Sequence, residues 1–374
     1  MPPRVAVAGA GMAGLVAAAR LRELGAEPVV YEKGTRPGGS MLLSSGVVWR
    51  HREWDDFRRE CPGGDPELQR VVWERLDDSL AWLRARGATA IANETGNPLT
   101  AGVRFDPERL TEALLARVGL DRVRLGTPAP RGAREATILA TGGFAASPGL
   151  VARHIAPAAP LRLRGNPWST GDGLLEGLAR RGAESAGLDE FYGRAMPDAP
   201  WGERELVRAA QLYARVAWIL DERGDELFRR EDVSWSEANV VQAIARRPGA
   251  RAYYVLDEAA LGATLRGRSV ASMVEAAAPE ARLAPAELPF PAPEGARVAV
   301  RVVAAITHTI GGLRVDERAR VLGADGSPVE GLYAAGVDAG GVATGGYASG
   351  LAQALVLGLA AADEVVRSAA GGAN

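Results

Sequence analysis

The chain has one cysteine, one lysine and three histidines among its 374 residues. Cys61 alone cannot close an internal disulfide, so no disulfide framework holds the fold. It also excludes iron–sulfur clusters and cysteine-rich zinc sites built from this chain alone. His51, His154 and His308 are too scattered to suggest a multi-histidine metal site. No apolar run reaches the ~20 residues that span a bilayer. The most apolar stretch, residues 351–362, is too short and carries Gln353. Charge of one sign is lacking too: 44 basic and 46 acidic residues leave a net charge of −2. That argues against a nucleic-acid or anionic-membrane partner. No charged segment precedes the apolar run at Val5, so no signal peptide and a cytoplasmic location are expected.

Glycine is what the sequence has in excess, with 46 residues. Without a collagen repeat, this suggests many tight turns and close backbone approaches to a ligand. Residues 5–8 read as a buried strand, 12–24 as a helix and 28–32 as a second strand. This β-α-β start points to an α/β fold with a parallel sheet. Asp65-Pro66 and Asp106-Pro107 are two helix starts of one design, with Asp as cap and Pro in the first turn. Apolar residues then recur at helical spacing as far as Gly87 and Gly119. Residues 137–140 and 332–335 read as strands, and 350–367 as a closing helix. Residues 188–300 lack the strand–glycine–helix rhythm and are richer in Trp, Tyr, Pro and charge. They read as an inserted domain.

Gly9-Ala10-Gly11-Met12-Ala13-Gly14 lies between the first strand and the first helix. The first glycine permits a tight turn, the second admits a pyrophosphate, and the third lets helix and strand pack closely. The helix opened by Met12 and Ala13 then offers N–H donors and a positive dipole end. Glu32 ends the second strand, placed to accept from a ribose diol. Strand, glycines, helix, strand and acid in that order mark a dinucleotide site. The acid disfavours NADP and suits NAD or FAD.

The next residues resemble a flavoprotein pattern: Glu32-Lys33-Gly34-Thr35-Arg36-Pro37-Gly38-Gly39-Ser40. Ile138-Leu139-Ala140-Thr141-Gly142-Gly143-Phe144 and Ser169-Thr170-Gly171-Asp172-Gly173 follow. His308-Thr309-Ile310-Gly311-Gly312-Leu313 and Gly331-Leu332-Tyr333-Ala334-Ala335-Gly336 complete the order. The sequence thereby resembles the fumarate reductase/succinate dehydrogenase flavoprotein family, which includes the 3-ketosteroid dehydrogenases. The resemblance implies a Rossmann-like FAD-binding domain over residues 1–187 and 301–374, with an inserted α+β capping domain over 188–300. It implies that Gly9, Gly11, Gly14, Glu32, Lys33, Gly38, Gly39 and Ser40 line the adenosine and pyrophosphate, with the backbone of Met12 and Ala13. Ser45, Gly46, Thr141 and Gly142 would lie further along the cofactor, and Gly336 and Asp338 at the ribityl chain. Ser349-Gly350-Leu351 would bring a helix N-terminus to the flavin pyrimidine. Val337 displaces Asp338 by one position from the family pattern. Residues 34–50 contain no histidine, so non-covalent FAD is implied.

The implied chemistry is hydride transfer at a carbon next to a carbonyl, with a proton moved at the neighbouring carbon. The dicarboxylate-reducing members carry an arginine about where Trp235 stands, and a second where Thr344 precedes Gly345-Gly346. Threonine cannot replace a guanidinium fork. A neutral or monoanionic, cyclic or apolar substrate is therefore expected rather than fumarate. Candidate catalytic or anchoring residues are His308, Tyr347, Tyr192 and Arg194. Trp168, Trp201, Trp218 and Trp235 are candidates for an apolar wall, against ordinary core packing. With no haem or cluster motif, electrons would pass to or from an external nicotinamide, quinone or O2. Two rivals stand beside this reading: a flavin oxidase of an amine or alcohol, and a non-catalytic flavin-fold binding protein.

Overall fold

The computed structural model describes residues 2–133, 135–180 and 182–371. The chain divides into two compact units. The first comprises Met1–Ser147, Asn166–Glu190 and His308–Asn374; the second comprises Pro148–Gly165 and Phe191–Thr307. The second unit thus takes in residues 148–165, which the sequence reading placed with the first, and extends to Thr307. The reason is pairing. Arg162 and Leu163 lie parallel to Ala305 and Ile306, and Arg164 donates to Leu206 O at 2.8 Å and Thr307 Oγ1 at 2.9 Å.

The first unit is built on β1 (Arg4–Ala8), α1 (Met12–Glu23) and β2 (Glu27–Glu32). Its main sheet runs in the order Arg320–Leu322, Pro328–Ala334, Ala136–Leu139, β1, β2, Val123–Leu125. All pairs are parallel except the edge pair Arg320–Leu322 with Pro328–Ala334. Val5 to Ala8 are buried because helices cover a parallel sheet on its faces. α1 is rich in alanine and buried on nearly every side. A small surface allows close crossing: a Cβ added at Gly358 of the closing helix Gly350–Gly371 would lie 2.8 Å from Ala13 O.

Two further helices start as the sequence suggested. Asp65 caps Pro66–Ala85 through Glu67 N and Leu68 N. Asp106 caps Pro107–Val118 through Glu108 N and Arg109 N. Each cap satisfies N–H groups that the helix itself leaves unpaired.

The second unit holds a sheet in the order Phe191–Pro197, Val298–Thr309, Arg251–Leu256, Trp218–Leu220, Glu226–Phe228. Its pairing is largely antiparallel, and short helices accompany it. Leu220, Tyr253, Val255, Leu288 and Phe290 form one of its apolar clusters, with Tyr253 edge-on to Phe290. Among the described residues, no helix is long and apolar enough to cross a membrane.

Candidate active site

The Gly9–Gly14 turn has the shape a dinucleotide needs. Gly9 has φ +107°, and a Cβ there would sit 2.2 Å from Ala140 O. A Cβ at Gly14 would sit 1.9 Å from Gly9 O. Both positions therefore require glycine for packing within the protein. Gly11 differs: a Cβ there would meet nothing within 4 Å. It opens α1 with no side-chain cap, so open space lies over a helix N-terminus. That is the cradle a pyrophosphate fills.

Glu32 sits under this corner. Its Oε2 accepts from Ala10 N at 2.9 Å and its Oε1 from Gly34 N at 2.7 Å. Two backbone donors fix the carboxylate, and each oxygen keeps acceptor capacity for a ribose diol. The Gly38-Gly39 loop folds back on the same turn. Gly38 N donates to Ala10 O at 2.7 Å, and a Cβ at Gly39 would lie 3.2 Å from Gly11 Cα. Ser40 continues this loop in the short helix Gly39–Leu43. Lys33 Nζ binds Thr170 Oγ1 and Asp172 Oδ2, so two distant motifs meet at one cation.

Other expected cofactor residues hold the frame. Asp338 is 1% exposed and accepts from Thr141 N, Thr141 Oγ1 and Gly143 N. Burial raises its pKa, and those three donors oppose the rise. Its carboxylate thus stitches the Thr141-Gly142-Gly143 turn to the segment after Gly336. Gln353 Nε2 ties that segment to the closing helix through Gly336 O and Ala339 O. Gly46 has φ +69°, and a Cβ there would lie 2.0 Å from Phe105 O, so Gly46 is set by strand packing. Ser45 beside it is exposed.

The closing helix starts at a second focus. Ser349 Oγ accepts from Ala352 N at 3.2 Å and from Trp49 N at 3.4 Å. Leu351 follows in the first turn. A Cβ at Gly350 would stand 3.5 Å from His308 Nε2. His308 Nδ1 lies 2.9 Å from Thr309 O. A carbonyl only accepts, so Nδ1 carries the proton and Nε2 is the acceptor of the neutral ring. Tyr347 lies 6.1 Å from His308 and 5.9 Å from Trp49, centroid to centroid. Gly346 must be glycine, since a Cβ there would meet Glu60 O at 1.8 Å. His308 and Tyr347, separate in sequence, therefore share one corner, and Trp49 joins them unforeseen.

Behind Trp49 lies His51, buried and stacked on Phe57 at 5.6 Å. Neither ring nitrogen has a hydrogen-bond partner among the described residues, and burial pushes its pKa down to about 4. Cys61 is buried beneath the Tyr347 backbone N–H, and burial pushes its thiol pKa up. It is not poised as a nucleophile.

Tyr192 and Arg194 lie in the second unit, two residues apart on the buried strand Phe191–Pro197. The Arg194 guanidinium stands 4.8 Å over the Tyr192 ring and donates to Ser236 O. Arg266 stands 4.5 Å over Trp235, donates to Trp235 O and lies 3.7 Å from Glu237 Oε1. Burial raises the Glu237 pKa, while Arg266 and Arg194 oppose that rise. Glu237 and Arg266 both hold left-handed backbone, with φ +59° and +54°. Such conformations cost energy in non-glycine residues and persist only where the surroundings enforce them. Sequence reading missed this group, because Arg266 reaches Trp235 from a distant segment.

The four tryptophans do not share one role. Trp168 lies in the first unit against Gly34 and Glu32. Within the second unit, Trp201 and Trp218 stack under Arg162 and Arg230, and Trp235 under Arg266.

The FAD binding domain family matches residues 121–351, well over half the chain, and an NAD(P)-binding Rossmann-like domain matches residues 7–46. The chain belongs to the fumarate reductase/succinate dehydrogenase flavoprotein family. This family comprises FAD-dependent oxidoreductases acting on CH–CH bonds, and FAD is the cofactor of this member. The probable fumarate reductase Ifc3 of Shewanella frigidimarina is 23% identical over 98% of this chain and 75% of its own length. The 3-ketosteroid Δ1-dehydrogenase of Sterolibacterium denitrificans superposes with TM-score 0.72 at 15% identity, covering 98% of this chain and 99% of that one. The 3-ketosteroid-Δ4-(5α)-dehydrogenase of Rhodococcus jostii RHA1 gives TM-score 0.69 at 19% identity, covering 97% of each chain. The fold of this flavoprotein is thus matched along nearly its whole length.

Proposed function

We propose that this flavoprotein makes or removes a carbon–carbon double bond beside a carbonyl in a cyclic or otherwise apolar substrate. The first unit would bind FAD non-covalently and the second would cap the substrate. FAD, when bound, supplies the hydride chemistry. The observation that carries the reading is the meeting of His308, Tyr347 and Trp49 at the Ser349–Gly350 helix start.

In this reading His308 Nε2 takes the proton from the carbon next to the reacting C–H, or returns it in the reverse direction. The Nδ1–H bond to Thr309 O holds the tautomer that this role needs. Tyr347 would orient the substrate carbonyl, and Trp49 would supply an apolar wall. Two ketosteroid dehydrogenases among the structural neighbours support this substrate class. The Shewanella relative pulls towards dicarboxylates. Thr344 and Trp235 weigh against that, standing about where the resemblance leads one to expect the arginines of the dicarboxylate reducers. Electrons would leave or arrive through an external nicotinamide, quinone or O2.

A second reading has its own observation. Arg266 lies 3.7 Å from the buried Glu237 carboxylate, and Arg194 and Arg215 also bear on it. More cations than this one anion balances favour a substrate that carries one carboxylate in addition to its carbonyl. Anaerobic mixing of the FAD-loaded chain with ketosteroids, cyclohexanones and their monocarboxylate analogues tests both readings. The oxidised protein is mixed with the saturated compounds and the pre-reduced protein with their α,β-unsaturated counterparts. Bleaching or reoxidation by ketones supports the first reading, a response to the carboxylated analogues alone supports the second, and no response in either direction defeats both.

A further inference from the structure

The Trp168 side chain is large, apolar and 42% exposed. Single exposed apolar side chains are common and need no explanation by themselves. Its setting is the informative part. A Cβ added at Gly34 would lie 2.9 Å from Trp168 Cδ1, 3.0 Å from its Nε1 and 2.9 Å from Glu32 Oε1. The indole therefore rests on Gly34, beside the acid that ends β2. Gly34 does not have left-handed backbone. It is glycine for space, not for conformation.

The turn that carries the indole is held from several sides. Trp168 N donates to Asn166 Oδ1 at 3.1 Å, and Thr170 N donates to Trp168 O at 3.0 Å. Lys33 clamps Thr170 and Asp172. On the other flank, Gly126 N donates to Gly34 O and Thr127 N to Glu32 O. The backbone that carries this half-exposed ring is thus held before any ligand arrives, and the ring itself lies against Gly34.

We infer that Trp168 is the stacking surface for the adenine of FAD. Glu32 engages the ribose, and the indole beside it covers the attached base. Stacking of a base on an aromatic ring contributes about 1–3 kcal/mol, judged by alanine substitution. The inference rests on FAD as the cofactor and concerns affinity for the adenosine half alone. Trp168 belongs to the FAD site, not to the substrate wall considered from sequence.

The test is titration of the full-length, flavin-stripped protein with FAD, with ADP as an adenine probe and with FMN as a ligand lacking adenine. Wild type, Trp168→Ala and Trp168→Phe are compared, with thermal melts to check folding. Trp168→Ala should weaken FAD and ADP about tenfold or more. Trp168→Phe should weaken them far less, and FMN affinity should be equal in all three. Unchanged ADP and FAD affinity in Trp168→Ala would overturn the inference. An equal loss for FMN would do the same, by pointing to a general structural defect. Failure of the wild type to bind FAD would instead defeat the cofactor assignment.

Discussion

At the residue scale, two histidines have opposite characters. His308 is held as one tautomer at the start of the closing helix, where a base is useful. Replacing it with alanine should lower turnover by about 10²-fold or more, with flavin absorbance retained. Steady-state rates on a flavin-loaded variant check this, and unchanged turnover would move the proton to Tyr347, Tyr192 or Arg194. His51 is a core residue whose ring nitrogens find no partner among the described residues. Its pKa falls from the ordinary 6.5 to about 4 in the folded chain. The unfolded chain therefore binds more protons between those values. Stability is fully present above about pH 6.5 and is lost as pH falls towards 4, by up to about 3 kcal/mol. His51→Phe keeps the stack on Phe57 and the edge-on contact with Trp49 and removes the titration. Urea melts from pH 7 to pH 4 should show a shallower loss in that variant; identical slopes would contradict the assignment.

At the element scale, local chemistry decided what the sequence disclosed. The β1–α1–β2 start and both Asp-Pro helices are set by residues within a few positions of one another. Each was legible, with ends shifted by only a residue or two. Asp106→Ala removes two accepted bonds at one helix start. It should cost about 1 kcal/mol of unfolding free energy, measured by denaturant titration. The arrangement of Arg266, Trp235 and Glu237 was not legible, because it joins segments about thirty residues apart through left-handed backbone. Asp338 was placed from sequence at the ribityl chain, one position off the family pattern, and its direction was not legible. One inserted residue, Val337, accompanies a carboxylate aimed at Thr141 and Gly143. Spacing alone cannot show which way such a side chain turns.

At the scale of the whole molecule, glycine pattern and motif order carry the resemblance to the family. The unit boundary was harder. Residues 148–165 carry no compositional mark, and their pairing with Ala305 and Ile306 and the bonds of Arg164 to Leu206 and Thr307 assign them to the second unit. The substrate lies at the same limit. By the resemblance, Trp235 and Thr344 stand about where the dicarboxylate reducers carry arginine, whereas Arg194 and Arg266 bring positive charge to the second unit from elsewhere in the chain. The most direct measurement is therefore anaerobic stopped-flow of the FAD-loaded chain against saturated cyclic ketones, with the pre-reduced protein offered the corresponding enones and fumarate in parallel. Flavin bleaching by a saturated ketone, or reoxidation of the pre-reduced flavin by the corresponding enone, is expected, with no fumarate-driven reoxidation. Rapid reoxidation by fumarate, with no response to any ketone or enone, would contradict the proposed substrate class.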